Sequence, residues 1–403
     1  MSHEIIYTFV GSMAFALVLG YVAIRLGLSP IVGYIVAGIL AGPHVPGYTA
    51  NSGVAEQFAE IGIVLLMFGV GLNFHLKELM SVWKVAVPGA LFQSLISTLV
   101  TYYIMRGMGW KSESALVTGL ALSVASTVVL VRVLTENKDL SSRVGIIAVG
   151  WVVVEDLLTV LILVALPAIA QSKASNGTNL AESLALATLG VTLFIVAVGL
   201  FGDRIIPWVL EKIHRTRSRE LFMLATLTIA LGLAVIATQG FGVSMALGAF
   251  MAGLVVARSD YSARAAKEAL PMRDIFAVLF FVSVGLLFNP KLLLSNPLPA
   301  LVLALIVMVI KPMAAALIMW IAREPKYTPM QLGITLGQIG EFTFVLGTAA
   351  RGLGLINAVA WNSLVAVAML SIALNPSFYR KYKLNFGLNN KKDGAEPRPD
   401  QVN

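Results

Sequence analysis

Apolar positions in this chain gather into runs of about 20 residues, and the polar positions fall mainly between them. A helix rising 1.5 Å per residue needs about 20 apolar residues to cross the hydrocarbon layer of a bilayer. The pattern therefore predicts an all-α polytopic membrane protein of about 13 transmembrane helices. The segments are read at about 5–25, 30–43, 54–74, 85–106, 113–134, 144–170, 182–210, 220–238, 241–257, 272–289, 297–322, 328–350 and 356–376. The second, ninth and tenth are short and need tilt or local thinning of the bilayer. Between the eighth and ninth, "TQGFG" reads either as a connection or as a kink.

Composition sharpens this picture. The 403 residues are 58% hydrophobic and 12% charged, about half the charged fraction of a soluble protein. The absence of cysteine removes disulfides, thiol catalysis and thiolate metal sites. The opening "MSHE" has no positively charged stretch, so the first run is expected to be a permanent span rather than a cleaved signal. An odd number of crossings puts the termini on opposite sides. With the N-terminus outside, the outer loops hold Arg106, Lys111, Lys173, Lys291 and Arg351, Lys311 lies within a span, and the other 23 of the 29 basic residues are inside. This skew predicts N-out, C-in. It also accounts for the net charge of +8 without nucleic acid as a partner. The inner clusters "HRTRSRE" and "RKYK" suit contact with an anionic lipid bilayer.

The chain partly repeats itself at an offset of 214 residues. "LLMFGVGLNFHLKEL" (65–79) overlies "LFFVSVGLLFNPKLL" (279–293), with Leu65, Val70, Gly71, Leu72, Phe74, Lys77 and Leu79 meeting identical residues. Glu60 falls over Asp274, and Gly119 of "GLALSVAST" over Gly333 of "GITLGQIGE". With one residue of slip, "GYIVAGI" (33–39), read as a close-packing motif, overlies "GAFMAGL" (248–254). Two repeats, about 5–170 and 220–376, are thus seven segments apart. An odd separation inverts one relative to the other, the architecture of secondary transporters with a site at the repeat interface. Glu60 and Asp274, placed at the starts of their segments, read as helix N-terminal capping charges.

Charged residues recur near the centres of spans. Glu155 and Asp156 lie mid-way along segment six, Lys311 along eleven, Glu341 along twelve, and Ser123, Ser126 and Thr127 along five. Ionisable groups at that depth are expensive and mark ion or proton pathways. Glycines and polar residues in "ALSVASTVVL" and "GITLGQIGEFTF" suit helices that break at mid-membrane and offer backbone groups to an ion. Pro312, after Lys311, leaves the Met308 carbonyl unbonded and predicts a kink. Neighbours on a helix point about 100° apart. The expected arrangement pairs Glu155 with Lys311 and leaves Asp156 facing a water-filled cavity. There Asp156 would hold either a proton or a bare monovalent metal cation, the minimum chemistry of cation/proton exchange. The same charges would also serve as a buried network that orients helices. Ser126 and Thr127 are ion ligands or back-bond to their own helix. Glu341, with Gln338 beside it, either supports the site or caps a broken helix.

"GLSPIVGYIVAGILAGP", "FAEIGIVLLMFGVGLNF", "ALSVASTVVLVRVL", "VVVEDLLTVLILV" and "GQIGEFTFVL" together resemble bacterial Kef-type members of the monovalent cation:proton antiporter-2 family, across residues 5 to 380. The resemblance implies a sodium/proton antiporter-like fold with crossed broken helices, a homodimer, and elevator movement of a core against a dimerisation domain. It implies a transmembrane antiporter domain over 1–380, with segments within 85–170 and 297–376 as the core, and a cytoplasmic polar tail over 381–403. Asp156 stands at the family's ion-binding aspartate, and Lys311 at the embedded lysine of related antiporters. Potassium is the implied cation, with sodium as the alternative, in a bacterial inner membrane. Two departures bear on regulation. Glutathione-gated members have Gln before the Asp, where this chain has Glu155. Many relatives also continue into a cytosolic nucleotide-binding regulatory domain, whereas "NKKDGAEPRPDQVN" has no Gly-rich phosphate loop, so that domain is expected to be absent from this chain.

The functional expectation is a secondary active K+/H+ antiporter that needs no cofactor. A gated potassium efflux channel fits less well, because a paired mid-membrane charge opposes conduction and no carbonyl filter motif is present. An integral membrane enzyme is opposed by the four histidines, His3, His44, His75 and His214, which all lie near loops or termini and lack metal-ligand spacing. A receptor without transport is the remaining rival. Two acids beside a lysine also permit a cycle in which the cation displaces Lys311 from Glu155, moving two protons per cation. Glu155 alone carries that electrogenic expectation.

Overall fold

Backbone groups in hydrocarbon must be satisfied within their own segment, so each apolar run folds as helix. The computed structural model describes residues 4–45, 50–72, 76–174, 180–325 and 327–386. His3, Phe74, His75 and the tail from residue 387 onward lie outside the described residues. In chain order the helices are α1 (Glu4–Arg25), α2 (Pro30–Leu40), α3 (Ser52–Leu72), α4 (Leu76–Gly107), α5 (Ser112–Ser123), α6 (Thr127–Glu136), α7 (Arg143–Ala174), α8 (Leu180–Ala197), α9 (Asp203–His214), α10 (Arg219–Phe241), α11 (Met245–Ala257), α12 (Ser262–Leu286), α13 (Pro290–Ser295), α14 (Pro297–Leu305), α15 (Lys311–Ile321), α16 (Thr328–Leu336), α17 (Glu341–Gly352) and α18 (Ala358–Asn385). Among the described residues no strand occurs. Ten helical stretches among the described residues are long and apolar enough to cross a membrane, while α2 and α11 are shorter.

Each apolar segment contains helix among the described residues, with informative differences: two segments break at mid-span and others differ at their ends. The "TQGFG" ambiguity resolves as a true break: Gly242 is left-handed at φ 66°, and Ser244 caps α11 through the Leu247 amide. Helix α12 begins ten residues before its apolar run, so Asp274 lies in its interior and not at its start. Glu60 is likewise inside α3. Neither caps a helix. The kink expected at Pro312 is taken up by a π-helical turn, Ile306–Ile310, which bonds the Lys311 amide to the Ile306 carbonyl and carries the chain past the missing donor. A second π turn, Val198–Gly202, joins α8 to α9.

The repeat is visible as duplicated contacts. A Cβ on Gly38 of α2 would overlap the Val282 carbonyl of α12, and one on Gly285 would overlap the Ile35 carbonyl of α2. Shifted along the repeat, the same crossing recurs between Gly253 of α11 and the Phe68 carbonyl of α3, and between Gly71 of α3 and the Phe250 carbonyl. The backbone of α4 meets Gly119 through the Thr98 carbonyl, and α15 meets Gly333 through the Pro312 carbonyl. Both members of that second pair are 214 residues apart. The repeat is thereby carried in packing as well as in sequence.

Helix α3 packs mainly on α11 and α12, and α2 on α12, whereas α4 packs mainly on α5 and α7, and α15 on α16. On one face, polar bonds tie loops together: Arg132 to the Leu28 carbonyl, Arg143 to Glu324 at 2.6 Å, and Lys383 and Tyr379 to Asp139 at 3.0 and 2.7 Å. This is the face to which the sequence assigns the basic loops, and it is called the basic face below.

Candidate functional site

Two helices break at matching positions of the repeat. Helix α5 stops at Ser123 and α6 starts at Thr127; α16 stops at Leu336 and α17 starts at Glu341. Their extended linkers cross. The Gly340 amide donates to the Val124 carbonyl at 3.3 Å, and a Cβ on Gly340 would press on Ala125 and Ser126 backbone. Gln338 brackets Ser126, accepting from its amide at 3.0 Å and donating to its carbonyl at 3.0 Å.

Such breaks leave terminal carbonyls and amides that must find partners. At the end of α5 all four last carbonyls do: Leu120 from Ser123 Oγ at 2.8 Å, Ala121 from Thr343 at 2.6 Å, Leu122 from Lys311 at 3.3 Å, and Ser123 from Gln93 at 3.3 Å. In the partner break, Asn375 donates to the Ile334 carbonyl at 2.6 Å, Lys311 to the Gln338 carbonyl at 3.1 Å, and Ser371 accepts from the Ile339 amide at 3.2 Å. Gln93, Thr343, Ser371 and Asn375 did not emerge from the sequence as site residues, although each is a polar residue inside an apolar run.

Lys311 thus sits where the negative ends of α5 and α16 meet. The acids sit at the positive ends. Glu155 Oε2 accepts from the Ala125 amide at 2.7 Å, just before α6. Ser126 caps α6 through the Val129 amide and donates to Glu341 Oε2 at 2.7 Å, with Glu341 itself the first residue of α17. Thr127 Oγ1 donates to Asp156 Oδ2 at 3.1 Å. The expected Glu155–Lys311 ion pair is not closed: no nitrogen–oxygen contact within 4.0 Å joins them among the described residues. Helix-end carbonyls take the lysine and the Ala125 amide takes Glu155 Oε2, while Glu155 Oε1 is buried without a hydrogen-bond partner. Both side chains are fully buried. Ser126 and Thr127 donate their hydroxyls to Glu341 and Asp156 rather than to carbonyls of their own helices.

Asp156, Thr127 and Glu341 line a cavity of about 310 Å³ with Gly69, Arg273 and Asp274. Asp156 Oδ1 has no hydrogen-bond partner there. Glu155, Lys311, Ser126 and Gln338 stand behind this wall and do not line it. Gly69 and Val70 lie in the last turns of α3, which run toward the basic face. A second cavity, of about 590 Å³, includes Ala59, Glu60 and Ile63 in the middle of α3, Ser283 and Val284 of α12, and Arg351 at the end of α17. The two share repeat-related walls: Gly69 and Ser283, Val70 and Val284, Arg273 and Ala59, Asp274 and Glu60 are each 214 residues apart. Between them Phe281 and Phe344 pack edge to face at 5.9 Å. Phe281 lines the Asp156 cavity, while its neighbour Phe280 lines the other.

Comparison with known proteins agrees with this architecture. Residues 13–380 match the family model for the transmembrane sodium/hydrogen exchanger. The chain is 44% identical over 380 residues to the putative cation/proton antiporter YbaL of Escherichia coli K12, covering 93% of this chain and 68% of that protein. It is 28% identical to the glutathione-regulated potassium-efflux system protein KefC of Escherichia coli O6:K15:H31, covering 93% of this chain and 60% of KefC. The sodium proton antiporter MjNhaP1 of Methanocaldococcus jannaschii shares the fold at a TM-score of 0.66 and 15% identity, over 97% of this chain and 99% of that structure. The Kef-type resemblance of the motifs therefore holds, and the chain belongs to the sodium/hydrogen exchanger family of membrane cation/proton antiporters.

Proposed function

We propose that this protein exchanges potassium for protons, with Asp156 alternately holding a cation and a proton. The observation that carries the reading is Asp156 itself, which lines a cavity, takes the Thr127 hydroxyl on one oxygen and has no hydrogen-bond partner on the other. A carboxylate taken out of bulk water and given one neutral donor can take a proton or a bare cation in turn, but not both. The name of KefC favours potassium. Sodium is the second reading, favoured by the family description and by MjNhaP1.

Helices α4–α7 and α14–α18 form the moving core, and α1–α3 with α8–α12 the scaffold, in an elevator cycle through thirteen crossings. Support comes from the two cavities, whose scaffold walls are images of each other under the repeat. A core sliding between them would present Asp156 first to one and then to the other. The aromatic septum of Phe281 and Phe344 disfavours a continuous channel. The basic face is cytoplasmic in this reading, in a bacterial inner membrane. A homodimer would use the outer scaffold helices, since Ile5–Arg25 and Leu189–His214 are the least buried spans, at 22% and 17%. Proteoliposomes with a trapped pH dye, offered potassium and then sodium, test the reading. Proton flux with neither cation would overturn it.

A further inference from the structure

Arg273 has no part in the chemistry assigned to Asp156, yet among the described residues it is the only basic side chain lining that cavity. Its stem crosses Gly69: a Cβ there would stand 2.7 Å from Arg273 Cδ. The glycine leaves room for a guanidinium to lie along the wall rather than in solvent. In this structure the guanidinium is held by Asp274 of its own helix, at 2.6 and 3.0 Å. Glu341 and Asp156 line the same cavity as Arg273. Arg273 and Asp274 belong to α12, while Glu341 and Asp156 belong to α17 and α7. One arginine of the scaffold thus has acids on both sides of the sliding surface.

The repeat shows that this feature is one-sided. The position equivalent to Arg273 in the opposite cavity is Ala59, and the position equivalent to Gly69 is Ser283. The acid is kept, as Glu60 for Asp274, but this wall has neither the cation nor the space for its stem; the arginine that does line the opposite cavity, Arg351, belongs to α17 on the core side.

We propose that Arg273 is a latch on the basic-face cavity: when Asp156 carries neither cation nor proton, the guanidinium turns from Asp274 to the core carboxylates and holds the core in place. A bound cation or proton neutralises Asp156, returns Arg273 to Asp274 and frees the core to move. Because Ala59 offers no counterpart, the empty carrier rests facing the basic side. This suppresses return of an unloaded site, the step that would uncouple exchange. Arg273 is a positioning residue here and not a ligand of the transported ion. The inference rests on the alternating-access reading above.

The chain has no cysteine, so single cysteines report each cavity cleanly. Val70→Cys and its repeat image Val284→Cys are labelled with a membrane-impermeant maleimide from either side of oriented vesicles, in choline and in potassium. In choline, the parent background is expected to label Val70→Cys quickly and Val284→Cys slowly. Arg273→Gln should speed Val284→Cys labelling in choline by about fivefold or more, the lower range of coupling in such switches, and leave the potassium rates unchanged. Arg273→Lys should restore much of the parent behaviour. Adding Ala59→Arg to Arg273→Gln should raise Val284→Cys labelling further, because the latch then acts from the opposite wall. Unchanged labelling in Arg273→Gln, with a parent that responds to potassium, overturns the latch alone. A parent whose two cysteines ignore potassium and pH overturns alternating access, and the latch with it.

Discussion

Thr127 gives its hydroxyl to one oxygen of Asp156 at 3.1 Å and leaves the other buried without a partner. The pair spans a helix break, since Thr127 opens α6 and Asp156 lies mid-way along α7. A donor that bonds the carboxylate without neutralising it fixes the orientation and leaves the charge for the cation. Asp156→Asn keeps shape and volume but cannot alternate between proton and cation. It is expected to abolish cation-driven proton flux in vesicles while leaving the melting temperature close to the parent's. Normal flux in Asp156→Asn would remove this residue from the mechanism.

Thr127→Val removes the donor and preserves the shape. Loss of a hydrogen bond to a charged group amounts to about 1.5–3 kcal/mol, so the KM for the cation is expected to rise by about tenfold or more, with a smaller change in maximal rate. An unchanged KM would show that Thr127 does not act on the ion-binding oxygens.

Lys311 donates to the carbonyls of Leu122 and Gln338, one from each broken helix. Lys311→Ala strips two buried carbonyls of their donor, at about 1–3 kcal/mol for each, and takes the nearby cation from Glu155, so a loss of about 2–6 kcal/mol is expected. Glu155→Gln with Lys311→Gln should recover part of it, because the amide can still donate to a carbonyl and no lone charge remains. Thermal unfolding in detergent checks both. A melting temperature equal to the parent's in Lys311→Ala would show that the lysine does not hold the crossing together.

How much of this was legible beforehand differs between fold and site. The helices followed from the period and length of the apolar runs, and both breaks were signalled by Gly, Ser and Thr at mid-span. The depth of Glu155, Asp156, Lys311 and Glu341 was legible for the same reason. Pairing was not. Complementary charge suggested Glu155 with Lys311, but the carbonyl cage that takes the lysine exists only once α5 and α16 end beside each other. Asp274 and Glu60 were misread as caps because a helix can begin in polar sequence, before its apolar run, as α12 does at Ser262. Arg273 was invisible in the sequence, since its place depends on the absence of a side chain at Gly69 on another helix.

The glycine crossings give a prediction of symmetry. Gly38 of α2 and Gly253 of α11 each meet a carbonyl of the facing helix so closely that a Cβ would overlap it. Overpacking of this kind costs about 1–3 kcal/mol, and more where the obstacle is backbone. Gly38→Val and Gly253→Val should therefore lower the yield of folded protein alike, as repeat images. Gly232→Ala, which meets nothing within 4 Å, should be tolerated. Size-exclusion profiles of tagged variants decide the matter, and a tolerated Gly38→Val beside a ruinous Gly253→Val would break the equivalence of the halves.

Charge balance follows from where Glu155 and Lys311 lie. Each is fully buried, each is held by helix-end groups, and neither lines the Asp156 cavity. An entering cation therefore meets Asp156 and has no ion pair between Glu155 and Lys311 to displace. The two-proton cycle that the sequence suggested needs that displacement, so the structure favours one proton for one cation. Glu341 keeps its bond from Ser126 and its charge state through the cycle in this scheme. Exchange is then electroneutral. The measurement is cation/proton exchange in vesicles whose potential is clamped by an ionophore for an ion that is not transported. An imposed potential of about 100 mV acts with about 2.3 kcal/mol on each net charge moved. Its expected effect on the end point of exchange is nil. A shifted end point would mean that a second proton travels with the cycle, from Lys311 or from Glu341. Repeating the clamp in Glu341→Gln would then separate the two, since a shift that survives that change belongs to Lys311.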